Sequence, residues 1–246
     1  DEGGRTAVRE FSGYGLSTEY VRLVPGETTG LAPIMIDKNG DNSIMIFPGA
    51  HGRYTKKDID DAHEAFEGAF MASFVLESNL NVTEYAIKKA HSMGIDVFLD
   101  PAPVTEFDPS IYPCLTYIKP NEHEASLYTG IEVVDVNSAI RAGQCFLEKG
   151  VKNALVTLGK NGSVLVNSRG ARHFPAPQVI PVDTTDAGDV FAGSFLYALS
   201  VDMPVEEAVV FASCAGALTT TKEGSIKSAP TREEVDLFYN EFIKTL

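Results

Sequence analysis

The chain has 246 residues, 44% of them hydrophobic, and a formal charge of -14 from 34 acidic against 20 basic side chains. That length can bury a full core and fits one large α/β domain better than two small ones. The acidic balance argues against nucleic acid or an anionic membrane as a partner, because both reward clustered Lys and Arg. No apolar run approaches the length of a membrane span and no signal peptide is evident. The three cysteines, Cys114, Cys145 and Cys214, are widely spaced with no CxxC, which reads as reduced thiols in a cytoplasmic protein. The five histidines show no metal-ligand spacing.

Residues 1–20 read as a helix and connection with few apolar contacts, Val8 and Phe11 among them, and Val21 to Val24 as a short strand. Leu31 to Ile36 and Ser43 to Phe47 are joined by the polar turn Asp37-Lys38-Asn39-Gly40-Asp41-Asn42, an Asn-Gly hairpin signal. From Lys57 onward strand and helix alternate. Asp58 to Phe66 reads as helix and Ala69 to Leu76 as buried strand, and Asn81 with Glu84 looks like a capping box ahead of a helix that Gly94 stops. Ile95 to Leu99, closed by Asp100-Pro101, fits a central parallel strand, and Leu115 to Ile118 the next. A short helix over Glu122 to Thr129 ends at Gly130, and Asn137 caps another that runs to Lys149. Ala154 to Leu158, Ser163 to Val166 and Arg172 to Phe174 are strands, the first two joined by Lys160-Asn161-Gly162. A helix follows over 188–200, then a start at Pro204 and a capping box, Thr231 with Glu234. This alternation predicts a mainly parallel sheet with helices on both faces.

Most of the chemistry lies between Val182 and Ser200. A polar turn, Asp183 to Gly188, opens directly into an apolar helical pattern, with Val190, Phe191, Phe195, Leu196 and Leu199 at helical spacing. Small residues at a helix N-terminus leave backbone N–H groups free for an anion such as a phosphate. Asp189 is then placed to take a proton from a hydroxyl that attacks that phosphate, although an Asp ahead of a helix is ordinarily just an N-cap.

The residues around it tip the balance. Asp183-Thr184-Thr185-Asp186-Ala187-Gly188-Asp189-Val190-Phe191-Ala192-Gly193 resembles the second signature of the ribokinase (PfkB) family of carbohydrate kinases, Asp-Thr-x-Gly-Ala-Gly-Asp-x-Phe-x-Gly. Every fixed position matches except Asp186, which replaces the first glycine. The resemblance covers essentially the whole chain. It starts after the family's first strand and sugar-holding Gly-Gly motif, so an N-terminally incomplete ribokinase-like domain over 1–246 is expected.

By that resemblance the fold is a three-layer α/β architecture with a partial β-lid hairpin over about 28–48, a lid that often makes the dimer contact. Asp189 is the expected catalytic base, and Asp186, Ala187 and Gly188 form the expected anion hole. Asn121 and Glu124 match the family's Asn-x-x-Glu motif for magnesium and phosphate handling. On their own, acids at a helix start are more often simply solvated. Thr157, Gly159 and Gly162 match a nucleotide-proximal turn that is equally a tight hairpin. Asp183 and Thr185 with Thr220, Lys222, Gly224 and Ser228 are implied as a monovalent-cation site, and Glu77 as a sugar contact.

The resemblance thus implies ATP-dependent phosphorylation of a sugar, ribose first, with Mg2+ and K+ and a homodimer through the lid. A non-catalytic nucleotide- or sugar-binding relative, and a family kinase for another sugar or a nucleoside, stay open. A Rossmann dehydrogenase is disfavoured, because no Gly-x-Gly-x-x-Gly follows a strand.

Overall fold

The protein is described by a computed structural model that covers residues 1–36 and 42–246. Six strands form the main sheet in the order β3 (Met71–Phe74), β4 (Asp96–Leu99), β5 (Tyr117–Ile118), β6 (Asn153–Thr157), β7 (Ser163–Asn167) and β8 (Gly170–Phe174). β3 to β6 run parallel, and β6, β7 and β8 are antiparallel neighbours. The sheet is therefore mixed: its parallel half comes from strands linked through helices, its antiparallel half from two tight turns.

Alternation along each strand divides the core in two. Val97, Leu99, Ile118, Ala154, Val156, Val164 and Val166 face one cluster. It is closed by α4 (Leu80–Ser92), α5 (Glu122–Thr129) and α6 (Val136–Glu148), which contribute Ile87, Ala125 and Phe146. Phe98, Tyr117, Leu155 and Leu165 face the other, under α7 (Ala187–Ser200), α8 (Val205–Thr219) and α9 (Arg232–Phe242). Period-two burial on both faces is what a sheet between two helical layers requires. Close packing sets some identities: a Cβ on Gly143 of α6 would lie 2.4 Å from Val166 Cγ2.

The N-terminal third is built more loosely. α1 (Glu2–Gly13), capped by the Asp1 carboxylate, buries no residue, and Val21 to Val24 do not form the expected strand. β1 (Ile34–Ile36) and β2 (Asn42–Ile44) make the expected antiparallel hairpin, continued by a bridge between Leu31 and Phe47. The turn expected between them falls at 37–41, outside the described residues. The helix expected over Asp58 to Phe66 is interrupted at Ala62, giving α2 (Lys56–Asp61) and α3 (His63–Phe66).

Two caps differ from expectation. α4 starts two residues earlier, with Asn79 as its N-cap, so Asn81 lies inside the helix; Glu84 instead accepts the Asp108 N–H at 2.8 Å. α6 is capped by Asp135, whose carboxylate and the Ser138 hydroxyl form the capping box, and Asn137 is already helical. In both places the helix starts two residues upstream of the expected cap, at α6 because the Asp135 carboxylate caps it and at α4 without any side-chain capping bond from Asn79. Gly94 and Gly130 do stop their helices, at φ 76° and 72°.

Candidate active site

Parallel strands β3 to β6 bring their carboxyl ends to one edge, where α7 also begins. The β4–β5 register pairs Leu99 with Ile118, so Asp100 and Lys119 emerge side by side. Lys119 Nζ lies 2.6 Å from Asp100 Oδ2 and donates a second hydrogen bond, 3.3 Å, to the carbonyl of Gly188 in the first turn of α7. Both side chains are buried. Burial pushes the Asp100 carboxyl up to about 6 against the pull of Lys119, and the charges of Glu124 and Asp189 push the same way. Sequence reading missed both residues as site components. The available signal was a charged residue directly after each of two apolar parallel strands.

Asp186 is the N-cap residue of α7 and sits in the left-handed region, φ 58°, ψ 5°, with no side-chain capping bond. That conformation is one that glycine adopts freely and Asp better than most residues. It turns the chain so that the Ala187 N–H makes only a long bond, 3.4 Å, to Thr184, and the Val190 N–H is the first to find its helical acceptor, Asp186 O at 2.9 Å. The N–H groups of Gly188 and Asp189 have no protein acceptor among the described residues. Two free donors at the positive end of a 14-residue helix are the groups an anion seat needs. Asp189 is not the cap. It stands in the first turn, exposed, and its carboxylate has no hydrogen-bond or ion-pair partner among the described residues.

Asn121 and Glu124 form a reciprocal capping box at the start of α5. Glu124 accepts the Asn121 N–H and side-chain amide, each at 2.9 Å, and the Asn121 Oδ1 accepts the Glu124 N–H. Glu124 is buried by this arrangement. A bridge from Asn121 to Thr157, with Thr157 N–H donating to Pro120 O at 2.9 Å, brings the motif beside the end of β6. The turn that follows holds Gly159 and Gly162 at φ 50° and 90°, and a Cβ on Gly162 would stand 1.9 Å from Phe174 O, so only glycine fits there. Thr157, Gly159 and Asn121 thus do share one rim.

The residues expected to hold a monovalent cation assemble in part. Asp183 accepts N–H bonds from Thr185 at 2.9 Å and Gly224 at 3.2 Å. The Thr185 side chain first, then the Thr185 and Gly224 N–H groups, hold its carboxyl below the ordinary range. Thr220 O accepts from both Val182 and Asp183. By contrast the Lys222 ammonium pairs with Glu234 at 2.9 Å, and the Ser228 hydroxyl turns inward to Ser225 O. Lys222 can then offer an ion only its backbone oxygen, while the Ser228 hydroxyl proton is already committed to Ser225 O. Glu77, beyond β3, feels Asp189 and Asp100. Crowding on its protein side raises its pKa most, these two negative charges raise it further, and His51 opposes them. Glu77 thus lies within electrostatic reach of both Asp189 and Asp100. Among the described residues no three His, Cys, Asp or Glu side chains converge as a metal cluster.

A family model described as pfkB family carbohydrate kinase matches residues 1–232. Ribokinase of Haemophilus influenzae is 34% identical over 235 residues, which span 95% of this chain and 76% of that protein. Deoxyribokinase of Salmonella typhi is 34% identical over 238 residues, 96% of this chain and 76% of the relative. A solved ribokinase from Thermotoga maritima superposes with a TM-score of 0.85 at 35% identity, covering 98% of this chain and 78% of that one. Arabidopsis thaliana ribokinase complexed with ribose and ATP gives 0.86 at 30% identity, over 92% and 73%. The chain thus spans about three quarters of the length of these proteins.

Proposed function

The chain belongs to the pfkB family of carbohydrate kinases, and from that membership we propose that Asp189 is the base in an ATP-dependent phosphorylation of a sugar hydroxyl, with ribose as the leading substrate. The observation that carries this is the pairing at the start of α7 of an unpartnered carboxylate with two unpartnered N–H groups. Asp189 would take the proton as the sugar oxygen attacks the γ-phosphorus and ADP departs. The Gly188 and Asp189 N–H groups would hold the phosphoryl oxygens as charge grows on them, donors that need no reorganisation. Ribose rests on the ribokinase relatives, and Glu77 is the chain's own candidate to hold the sugar. Substituting Asp189→Asn tests the reading: Asn keeps the helix start, while kcat is expected to fall by roughly two to four orders of magnitude. Near-normal turnover would remove Asp189 from the chemistry.

Magnesium would supply charge neutralisation for the triphosphate. Both Glu124 oxygens already accept a hydrogen bond, so Asn121 and Glu124 suit holding metal-bound water rather than the ion itself. Thr157, Gly159 and Gly162 would line the nucleotide side. Asp183, Thr185 and the backbone around Thr220, Lys222, Gly224 and Ser228 are proposed for potassium. We read 1–246 as one ribokinase-like unit that includes the lid hairpin.

Leu31, Met35, Met45, Ile46 and Phe47 are all exposed on or beside that hairpin, which fits a lid-to-lid homodimer. Light scattering that returns a monomer at micromolar concentration would reject the dimer. No helix among the described residues is long and apolar enough to cross a membrane. We assign the chain to the cytoplasm, and detection of the protein outside it would refute that.

A further inference from the structure

Among the described residues the buried charged side chains are Lys119, Asp100 and Glu124, and of these Lys119 alone is basic. An ammonium taken out of water is costly unless paired, and a buried ion pair is rarely worth more to stability than two apolar side chains of the same size. Fold stability alone therefore gives no reason for a lysine at this position. Nor does the helix dipole, since a cation beside the first turn of a helix opposes it.

The geometry offers a reason. The ammonium spans from the end of the sheet to α7, with Asp100 on one side at 2.6 Å and the Gly188 carbonyl on the other at 3.3 Å. Gly188 immediately precedes Asp189 and supplies one of the two free N–H groups, so the contact acts on the peptide between the anion seat and the base. A Cβ on Gly188 would approach Lys119 Nζ at 3.5 Å, ordinary contact that leaves little slack between them. α7 is otherwise held near this end by packing, including α8, where a Cβ on Gly216 would come within 3.1 Å of Ala187 O. Packing fixes the helix axis but not its rotation as firmly as a directional bond does.

We infer that Lys119, paired with Asp100, is a positioning residue for phosphoryl transfer: it pins the first turn of α7 to the carboxyl end of β5 and so sets where Asp189 and its neighbouring N–H groups point. This deepens the proposed kinase reading and rests on it for its kinetic consequences. A strut of this kind acts on the transition state more than on ground-state binding, because a base misplaced by about 1 Å costs rate out of proportion to affinity.

The test compares Lys119→Met with the double variant Lys119→Met/Asp100→Asn. The single change strands a buried carboxylate; the double change removes both charges and restores a neutral, packed site. We expect the double variant to unfold near the wild-type midpoint, with kcat still down at least tenfold and KM for ribose and ATP within threefold. A double variant with kcat within twofold of wild type would make the pair merely structural and overturn the inference. Amide exchange at Val190 to Ala192 provides a readout without turnover. It is expected to quicken at least tenfold in the double variant while the rest of α7 is unchanged, and unchanged exchange there would also overturn the strut. If the wild type phosphorylates no sugar, the kinase reading fails, and exchange still decides the strut. If Lys119→Met alone does not fold, the double variant carries both measurements.

Discussion

The sharpest departure from the family signature is a single charge, and its effect can be measured directly. Asp186 occupies a left-handed N-cap, φ 58°, where the family has glycine, and its side chain makes no capping bond. If its carboxylate lies roughly 4–6 Å from the phosphoryl group in flight, the repulsion is about 3–4 kcal/mol at an effective dielectric near 20. That slows transfer by about two orders of magnitude or more. Asp186→Gly should therefore raise kcat at least tenfold with little change in sugar KM. Its stability cost should be small, since relief of the left-handed backbone offsets most of glycine's extra unfolded-state entropy, each on the order of 1 kcal/mol. Asp186→Asn separates charge from shape: Asn tolerates the same backbone and should recover most of the gain. The assay is ADP release at saturating ATP and magnesium across a ribose titration, alongside thermal unfolding of each variant. Unchanged kcat in both variants would mean that the carboxylate points away from the phosphate or shares a cation, and the electrostatic reasoning would be wrong.

Other expectations can be tested alongside it. Glu124→Gln should keep the capping box, as Gln serves at that position, yet raise the magnesium needed for half-maximal rate more than it weakens sugar binding, read from paired titrations. Replacing potassium with lithium should slow turnover if Asp183, Thr185 and the 220–228 backbone bind the ion, and a rate indifferent to monovalent cations would dismiss that site. Asp100 titrates near 6 when folded against 3.8 unfolded. Its contribution is therefore fully present below about pH 3.8 and is lost as pH rises through 6. The stability of wild type relative to Asp100→Asn should fall by on the order of 3 kcal/mol between pH 4 and pH 7, measured by urea unfolding. A flat difference would refute the raised pKa.

Much of this was legible locally. α5 ends where Gly130 predicts, and the signature turn opens α7 one residue before the expected start, because caps and glycines act over three or four residues. The Asn121–Glu124 spacing resembles a motif for ions. It is also a capping box, and sequence could not separate the two roles because one geometry serves both. Asp100 and Lys119 carry a weaker signal in the sequence, for a different reason. They meet only because Leu99 pairs with Ile118, and a register between strands nearly twenty residues apart is decided by the packing of the whole sheet. Likewise Asp135 rather than Asn137 caps α6 because two good caps compete and the fold selects one.

The two halves of the site stand on foundations of unequal depth. Glu77 follows β3, the last strand of the sheet among the described residues, next to a region that buries almost nothing before Leu76. Asp189 rises from a helix whose Phe195 is fully buried against Phe98 and Tyr117. Opening free energies in one molecule range from near zero at its fringe to the global value at its centre. Within the described chain, the proposed sugar contact Glu77 thus stands on the more shallowly buried part and the proposed base Asp189 on the more deeply buried one. On warming, recognition of the sugar should fade while the anion seat is still folded, and the temperature at which activity halves should lie below the temperature at which the core melts.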